Sequence, residues 1–228
     1  NRDSKKYIDI YDIPEADTMY RGTFRYKGWC ETIDVMKQLN LLSEEPINLK
    51  EKTYSDLMAY QVGEKDTNNI RKKVARYLNI PTDTHAIEAL EWLGLFDNRP
   101  IKREKDSPFE VTSDLMLEKM KLGKEERDMV AMQHTFLVDY PNKKKEVIKS
   151  RLLVFGESGG DTAIARTVAL PAAIAIKMIL EGKIDLKGIY RPVAPEIYEP
   201  VLNELEKNGI KVEEKFGLPV EDNIKLPF

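Results

Sequence analysis

Arg21, Arg25 and Lys27 stand on alternate positions of the run Met19–Lys27, with Thr23 between them and no acid interleaved. Tyr20, Gly22, Phe24 and Tyr26 occupy the other positions. A period of two sends the two sets to opposite faces of a β-strand. The expected arrangement is an aromatic face packed on a core, backing a face of cations and a hydroxyl. Guanidinium groups suit planar, bidentate recognition of carboxylates, and several fixed cations on one strand form an anion site. The bland alternative is a solvated strand face.

Other chemistry is less specific. Gly156-Glu157-Ser158-Gly159 approaches a nucleophile elbow, but its spacing is wrong. Gly156–Thr162 is a Gly-rich loop leading into a helix from Ala163. A helix N-terminus binds anions, yet the loop fits neither the dinucleotide nor the Walker pattern and is weak for nucleotide. His85, beside Ala86 and Ile87, and His134, in mid-strand, read as structural. His134 is the more notable, because its strand neighbours the cationic segment in any compact sheet. Cys30 near a helix start reads as a small buried hydrophobe rather than a reactive thiol. No metal-ligand spacing occurs, and spacing assigns no general acid or base.

These residues need positioning elements. Residues 1–29 read as loop and strand, 30–122 as almost entirely helical, and 124–228 as strands mixed with long helices. In the middle block, Thr53 or Ser55 caps Leu57–Val62, Asn68 caps Ile70–Leu78, and Thr84 caps Ala86–Leu93. Thr112 or Ser113 precedes Leu115–Leu122. In the third segment, Asp128–Val138 pairs with Val147–Phe155 across a turn at Pro141 and Asn142. Pro171 kinks or restarts the helix Ala163–Leu180, whose Ile174, Ile176 and Ile179 read as a core face. Pro195–Asn208 is a last amphipathic helix, and Ile210–Phe216 a short strand.

Composition sets limits. The chain has 228 residues, 42% hydrophobic and 33% charged, with a net charge of −3. That is ordinary globular composition, and the balance argues against a nucleic-acid partner. The most apolar run, Ile164–Leu180, is interrupted by Arg166 and Lys177, so no membrane span is expected. The single cysteine excludes an internal disulfide and suits a reducing compartment. The cytoplasm is expected, with the mitochondrion the alternative where a transit peptide precedes.

Several separated motifs resemble the catalytic part of the glutamate-forming saccharopine dehydrogenase family. They are Asn1-Arg2-Asp3-Ser4 followed by Tyr7 and Tyr11, Arg21-Gly22-Thr23-x-Arg25-Tyr26-x-Gly28, Ala89-x-Glu91-Trp92-Leu93-Gly94-Leu95, and Asp128-Met129-Val130-x-Met132. Thr167-Val168-x-Leu170-Pro171-x-Ala173 and Glu196-Ile197-Tyr198-x-Pro200 complete the order. The resemblance implies an α+β fold: a mixed β-sheet covered by helices, formed by residues 1–29 and 124–228, with an all-helical subdomain, 30–123, inserted into it. It implies an upstream Rossmann domain before Asn1 that carries the nicotinamide site. It also implies interconversion of saccharopine with aminoadipate semialdehyde and glutamate, using NAD or NADP in the full-length enzyme and no tightly bound cofactor on these residues. Saccharopine is a tricarboxylate, so Arg2 and Arg25 are expected on its carboxylates, with Arg21 and Lys27 as further cations. Ser4, Thr23 and Tyr26 are expected hydrogen-bond partners. A related amino-acid or polyamine imine dehydrogenase, and a non-catalytic binding or homodimerisation module, are the alternatives.

Overall fold

The computed structural model describes residues 3–141 and 144–224, to which the structural statements here refer. In chain order the elements are α1 (Lys6–Ile10), α2 (Trp29–Gln38), β1 (Ile47–Asn48), α3 (Tyr54–Gln61), α4 (Ile70–Leu78) and α5 (His85–Leu93). They continue with β2 (Lys105–Asp106), α6 (Pro108–Lys119), β3 (Met129–Asp139), β4 (Lys145–Phe155), α7 (Ala163–Leu180), α8 (Pro195–Lys207) and β5 (Val212–Leu218). A 3-10 turn, Val220–Ile224, follows. The chain forms two compact units, Arg21–Lys121 and the described residues of Asp3–Tyr20 with Leu122–Phe228. The class is α+β. The described strands pair antiparallel throughout, where a mixed sheet was expected.

The first unit is helical because its apolar residues recur at helical spacing and its helices carry strong punctuation. Val35 and Met36 of α2, Leu57 and Met58 of α3, Val74 of α4, Ile87 and Leu90 of α5, and Val111 and Leu115 of α6 share one buried core. Thr53 and Asp56 form a reciprocal capping box on α3: the Asp56 N–H donates to Thr53 Oγ1 at 3.1 Å, and the Thr53 N–H to Asp56 Oδ2 at 2.9 Å. The Thr53 N–H and, second, the Thr53 hydroxyl, which donates to Asp56 Oδ2 at 2.7 Å, hold the Asp56 carboxyl below its ordinary value. Asn69, rather than Asn68, precedes α4. Its φ of 52° and that of Asn79 at 55° place left-handed residues at both ends of the helix.

Helix α6 begins earlier than its apolar spacing implies. Ser107 accepts from the Glu110 N–H at 3.2 Å, and Pro108 occupies the first turn. Proline there lacks only a donor that would be orphaned anyway. Thr112 and Ser113 therefore lie inside the helix, and Thr112 is buried. The charged loop before α6 is pinned to it. Arg99 Nη1 donates to Glu118 Oε1 at 2.8 Å, and Arg103 Nε to Asp114 Oδ2 at 2.7 Å, while Arg103 also pairs with Asp106.

In the second unit the hairpin sets a three-stranded sheet in the order β3-β4-β5, with Met129 opposite Phe155 and His134 opposite Ser150. Val130, Leu152, Val154 and Val212 face α7 and α8 and share a core with Ile174, Met178, Val201 and Leu205. Ile176 and Ile179 are exposed, so the expected isoleucine face of α7 is divided between core and solvent. Helix α7 passes through Pro171 as one element and does not restart. Residues 1–29 hold a short helix, α1, which loop and strand propensities did not indicate.

Asp128 joins three parts of this unit. The Ala163 and Ile164 N–H groups, at the start of α7, donate to its carboxylate at 2.6 and 2.9 Å. The Gly156 N–H at the end of β4 donates to the Asp128 carbonyl at 2.9 Å. Asp128 is a remote acceptor for a helix N-terminus, and these backbone donors, Ile164 first, lower its pKa. A Cβ on Gly156 would meet this carboxylate and also sit 3.0 Å from the Ala163 nitrogen.

Two outcomes follow. Gly156→Ala lowers stability by about 1–3 kcal/mol through overpacking, measured by urea denaturation. Asp128→Asn lowers the urea midpoint at neutral pH. Because the folded pKa is depressed, the Asp128 contribution is present above the unfolded carboxylate value of about 3.9. It disappears as pH falls through the folded pKa, so the wild-type and Asp128→Asn midpoints converge in acid.

Candidate functional site

Met19–Lys27 is not a β-strand. It is irregular chain that pairs with no strand among the described residues. Alternation specifies two faces, but a strand persists only where its N–H and C=O groups find a ladder. Among the described residues, the sheet of the second unit consists of β3, β4 and β5, and the first unit has the two-residue ladder of β1 and β2 and an isolated Thr53–Pro100 bridge; Met19–Lys27 joins neither. The aromatic set does not pack inward either. Tyr20 is 84% exposed, Phe24 half exposed and Tyr26 90% exposed.

The cations remain together in a different form. Arg21, Arg25 and Lys27 lie exposed in one acid-free stretch that also carries Thr23 and Tyr26. The Arg25 Nη1 donates to the neighbouring Phe24 carbonyl at 2.7 Å. Among the described residues none of these three cations meets a carboxylate. Arg71, Arg76, Arg99, Arg103 and Arg166 each do. Within the helical unit, every other described arginine has a carboxylate partner.

The stretch ends in a fixed turn. The Trp29 N–H donates to the Tyr26 carbonyl at 3.1 Å. Gly28 has a φ of +86° and forms the N-cap of α2. Its carbonyl accepts from the Thr32 N–H and from Thr32 Oγ1, both at 2.9 Å. Ser4 belongs to the second unit, where its hydroxyl donates to the Met19 carbonyl at 3.0 Å. Arg2 lies outside the described residues.

A further polar group lies on the hairpin. On one face of the β3–β4 pair, Arg151 Nε donates to Gln133 Oε1 at 2.8 Å, and Gln133 Nε2 to Thr135 Oγ1 at 3.0 Å. Lys149, opposite Thr135, is only 3% exposed. The signal was available in period two, since Lys149 and Arg151 alternate with Ser150 just as Gln133 and Thr135 alternate with His134. His134 lies on the other face, edge-on to Phe136 with ring centroids 6.2 Å apart. Cys30 is exposed, not buried, at the second position of α2.

The Gly-rich loop is not a phosphate cradle. The first N–H groups of α7 donate to Asp128, and the Ala165 N–H donates to Thr162 Oγ1 at 3.0 Å. The anion-binding capacity of this helix start is consumed internally. The residues present do not fit a nicotinamide dinucleotide there. Among the described residues no cluster of His, Cys, Asp and Glu suits a metal ion.

Comparison with known proteins gives a consistent result. The chain is 35% identical over 203 residues to the bovine alpha-aminoadipic semialdehyde synthase, mitochondrial, covering 86% of this chain and 22% of that protein. It is 32% identical over 205 residues to the saccharopine dehydrogenase [NADP(+), L-glutamate-forming] of Saccharomyces cerevisiae, covering 86% of this chain and 46% of that one. The apo structure of the yeast saccharopine dehydrogenase (L-Glu forming) superposes with a TM-score of 0.85 at 30% identity, over 95% of this chain and 50% of that one. The chain thus spans about half the length of the yeast relative and about a fifth of the bovine one. Residues 1–210 match the saccharopine dehydrogenase C-terminal domain, and the chain belongs to that family.

Proposed function

We propose that this chain is the substrate-binding part of an oxidoreductase of lysine metabolism that interconverts saccharopine with aminoadipate semialdehyde and glutamate. The observation that carries the reading is the acid-free, exposed group Arg21, Arg25 and Lys27, without carboxylate partners among the described residues, in a helical unit whose other arginines, Arg71, Arg76, Arg99 and Arg103, each meet one. A tricarboxylate substrate supplies the missing anions. Arg25 takes one carboxylate through its guanidinium fork, Arg2 takes a second, and Arg21 and Lys27 add positive potential around them. Ser4, Thr23 and Tyr26 contribute hydrogen bonds to the substrate. The helical unit is a subdomain inserted into the sheet-bearing one.

NADP is the proposed cofactor, by likeness to the yeast relative that is named for it. When bound it accepts or delivers the hydride. Its site is taken to lie in an upstream Rossmann domain, as the family resemblance implies, since the Gly-rich loop here is capped by Asp128 and does not fit a dinucleotide. This chain's part is to bind and orient the substrate carboxylates, and no proton-transfer role is assigned to it.

A homodimer is a second reading, favoured by the outer face of α7. Ile164, Val168, Ile176, Ile179 and Leu180 are all exposed there, more apolar surface than scattered single residues present. Sedimentation of the full-length enzyme decides between monomer and dimer.

The full-length enzyme reduces its nicotinamide cofactor when given saccharopine, and a panel of other secondary-amine substrates gives slower turnover. Arg25→Ala raises the saccharopine KM by an amount equivalent to roughly 2–3 kcal/mol of lost charged hydrogen bonding, with the cofactor KM unchanged. Wild-type saccharopine kinetics in that variant would remove Arg25 from the site. In calorimetry these 228 residues alone show no tight, saturable binding of NAD or NADP.

A further inference from the structure

The imidazole of His85 covers Gly28. A Cβ built on Gly28 would run into Cδ2 and Nε2 of the ring, so residue 28 has no room for a side chain. The positive φ of Gly28 demands the same residue for an independent reason. His85 is the first residue of α5, and the rest of that helix is anchored deeply. Ala86, Ile87, Leu90 and Leu93 lie in the core of the helical unit with Val35, Met36 and Leu39 from α2 and its end. The loop leading into α5 is braced as well. Arg71 donates through Nη2 and Nε to the Thr82 carbonyl, at 2.9 and 3.3 Å, and pairs with Glu91.

We propose that His85 is a positioning residue for the cationic stretch, fixing through Gly28 the direction in which Arg25 and Lys27 are presented to an anionic substrate. The ring is a flat plate carried by a rigid helix. Pressed against a backbone with no side chain, it holds the turn closed by Tyr26, Gly28, Trp29 and Thr32. The segment has no ladder to define its course, so this turn is its firm boundary. The helical unit thereby takes part in substrate recognition without touching substrate, since α5 sets the geometry of residues that do. This rests on the reading of Arg21–Lys27 as the substrate site.

The test uses the full-length enzyme with His85→Ala, His85→Phe and Gly28→Ala. Hydrogen exchange is followed at the Trp29 and Thr32 amides, whose acceptors are Tyr26 and Gly28, together with saccharopine KM, cofactor KM and kcat. His85→Ala is expected to speed exchange at both amides by about tenfold as the turn opens locally. It raises the saccharopine KM by about tenfold through misplaced cations, with kcat and cofactor KM retained. His85→Phe, which keeps a flat ring, restores exchange and KM together. Unchanged exchange and KM in a folded His85→Ala enzyme overturn the proposal. So does a loss spread over all parameters that His85→Phe fails to restore. If His85→Ala does not fold, Gly28→Ala displaces the same contact from the other side and must show the same selective rise in saccharopine KM, and its absence overturns the proposal. If the wild-type enzyme does not act on saccharopine, the functional reading fails, and the exchange arm alone still decides whether His85 holds the turn.

Discussion

The carboxylate of Asp128 sits where three elements of the sheet-bearing unit meet. It precedes β3, its carbonyl receives the N–H of Gly156 at the end of β4, and its side chain receives the first N–H groups of α7. A long helix laid on a small sheet needs its direction set at one end, and backbone donors on a fixed carboxylate set it with charge-assisted bonds. Leu152, Val154, Ile174 and Met178 can share a core only once that direction is set. The same bonds close the helix start to any outside anion. One interaction therefore defines the packing of this unit and removes from it the feature that most resembled a nucleotide site.

The helical unit solves a different problem. Its apolar residues build a core of its own, and its charged surface is tied down by paired arginines along α6 and α4. Exposed pairs of this kind contribute little individually. Their arrangement matters more as a contrast, since an unpaired cluster stands out when most guanidinium groups near it have partners. That contrast is visible only once side chains are placed.

Much of the fold was legible in local pattern. The β3–β4 hairpin, the Thr53 cap and the Thr162 cap follow from periodicity and capping chemistry that act within a few residues. The start of α6 is set by Ser107-Pro108, a stronger local signal than the apolar spacing from Leu115, which points to a later start. The failure at Met19–Lys27 has another cause. Alternation there is real, but strand formation is a long-range property that needs a partner edge. Of the candidate site, the identity of the cations was legible and their setting was not. The Gln133, Thr135, Lys149 and Arg151 group was equally present in the pattern, but strand pairing is what brings its members onto one face.

Three positive charges on seven consecutive residues, with no acid among them, repel one another. At separations shorter than a Debye length of about 8–10 Å, mobile ions screen that repulsion incompletely. The segment thus carries mutually repelling charges next to the hydrogen-bonded turn at Gly28. On the proposed reading of this stretch as a carboxylate site, a bound polyanion would relieve that repulsion. A ligand carrying fewer carboxylates would leave part of that repulsion in place, so total charge would be read as well as shape.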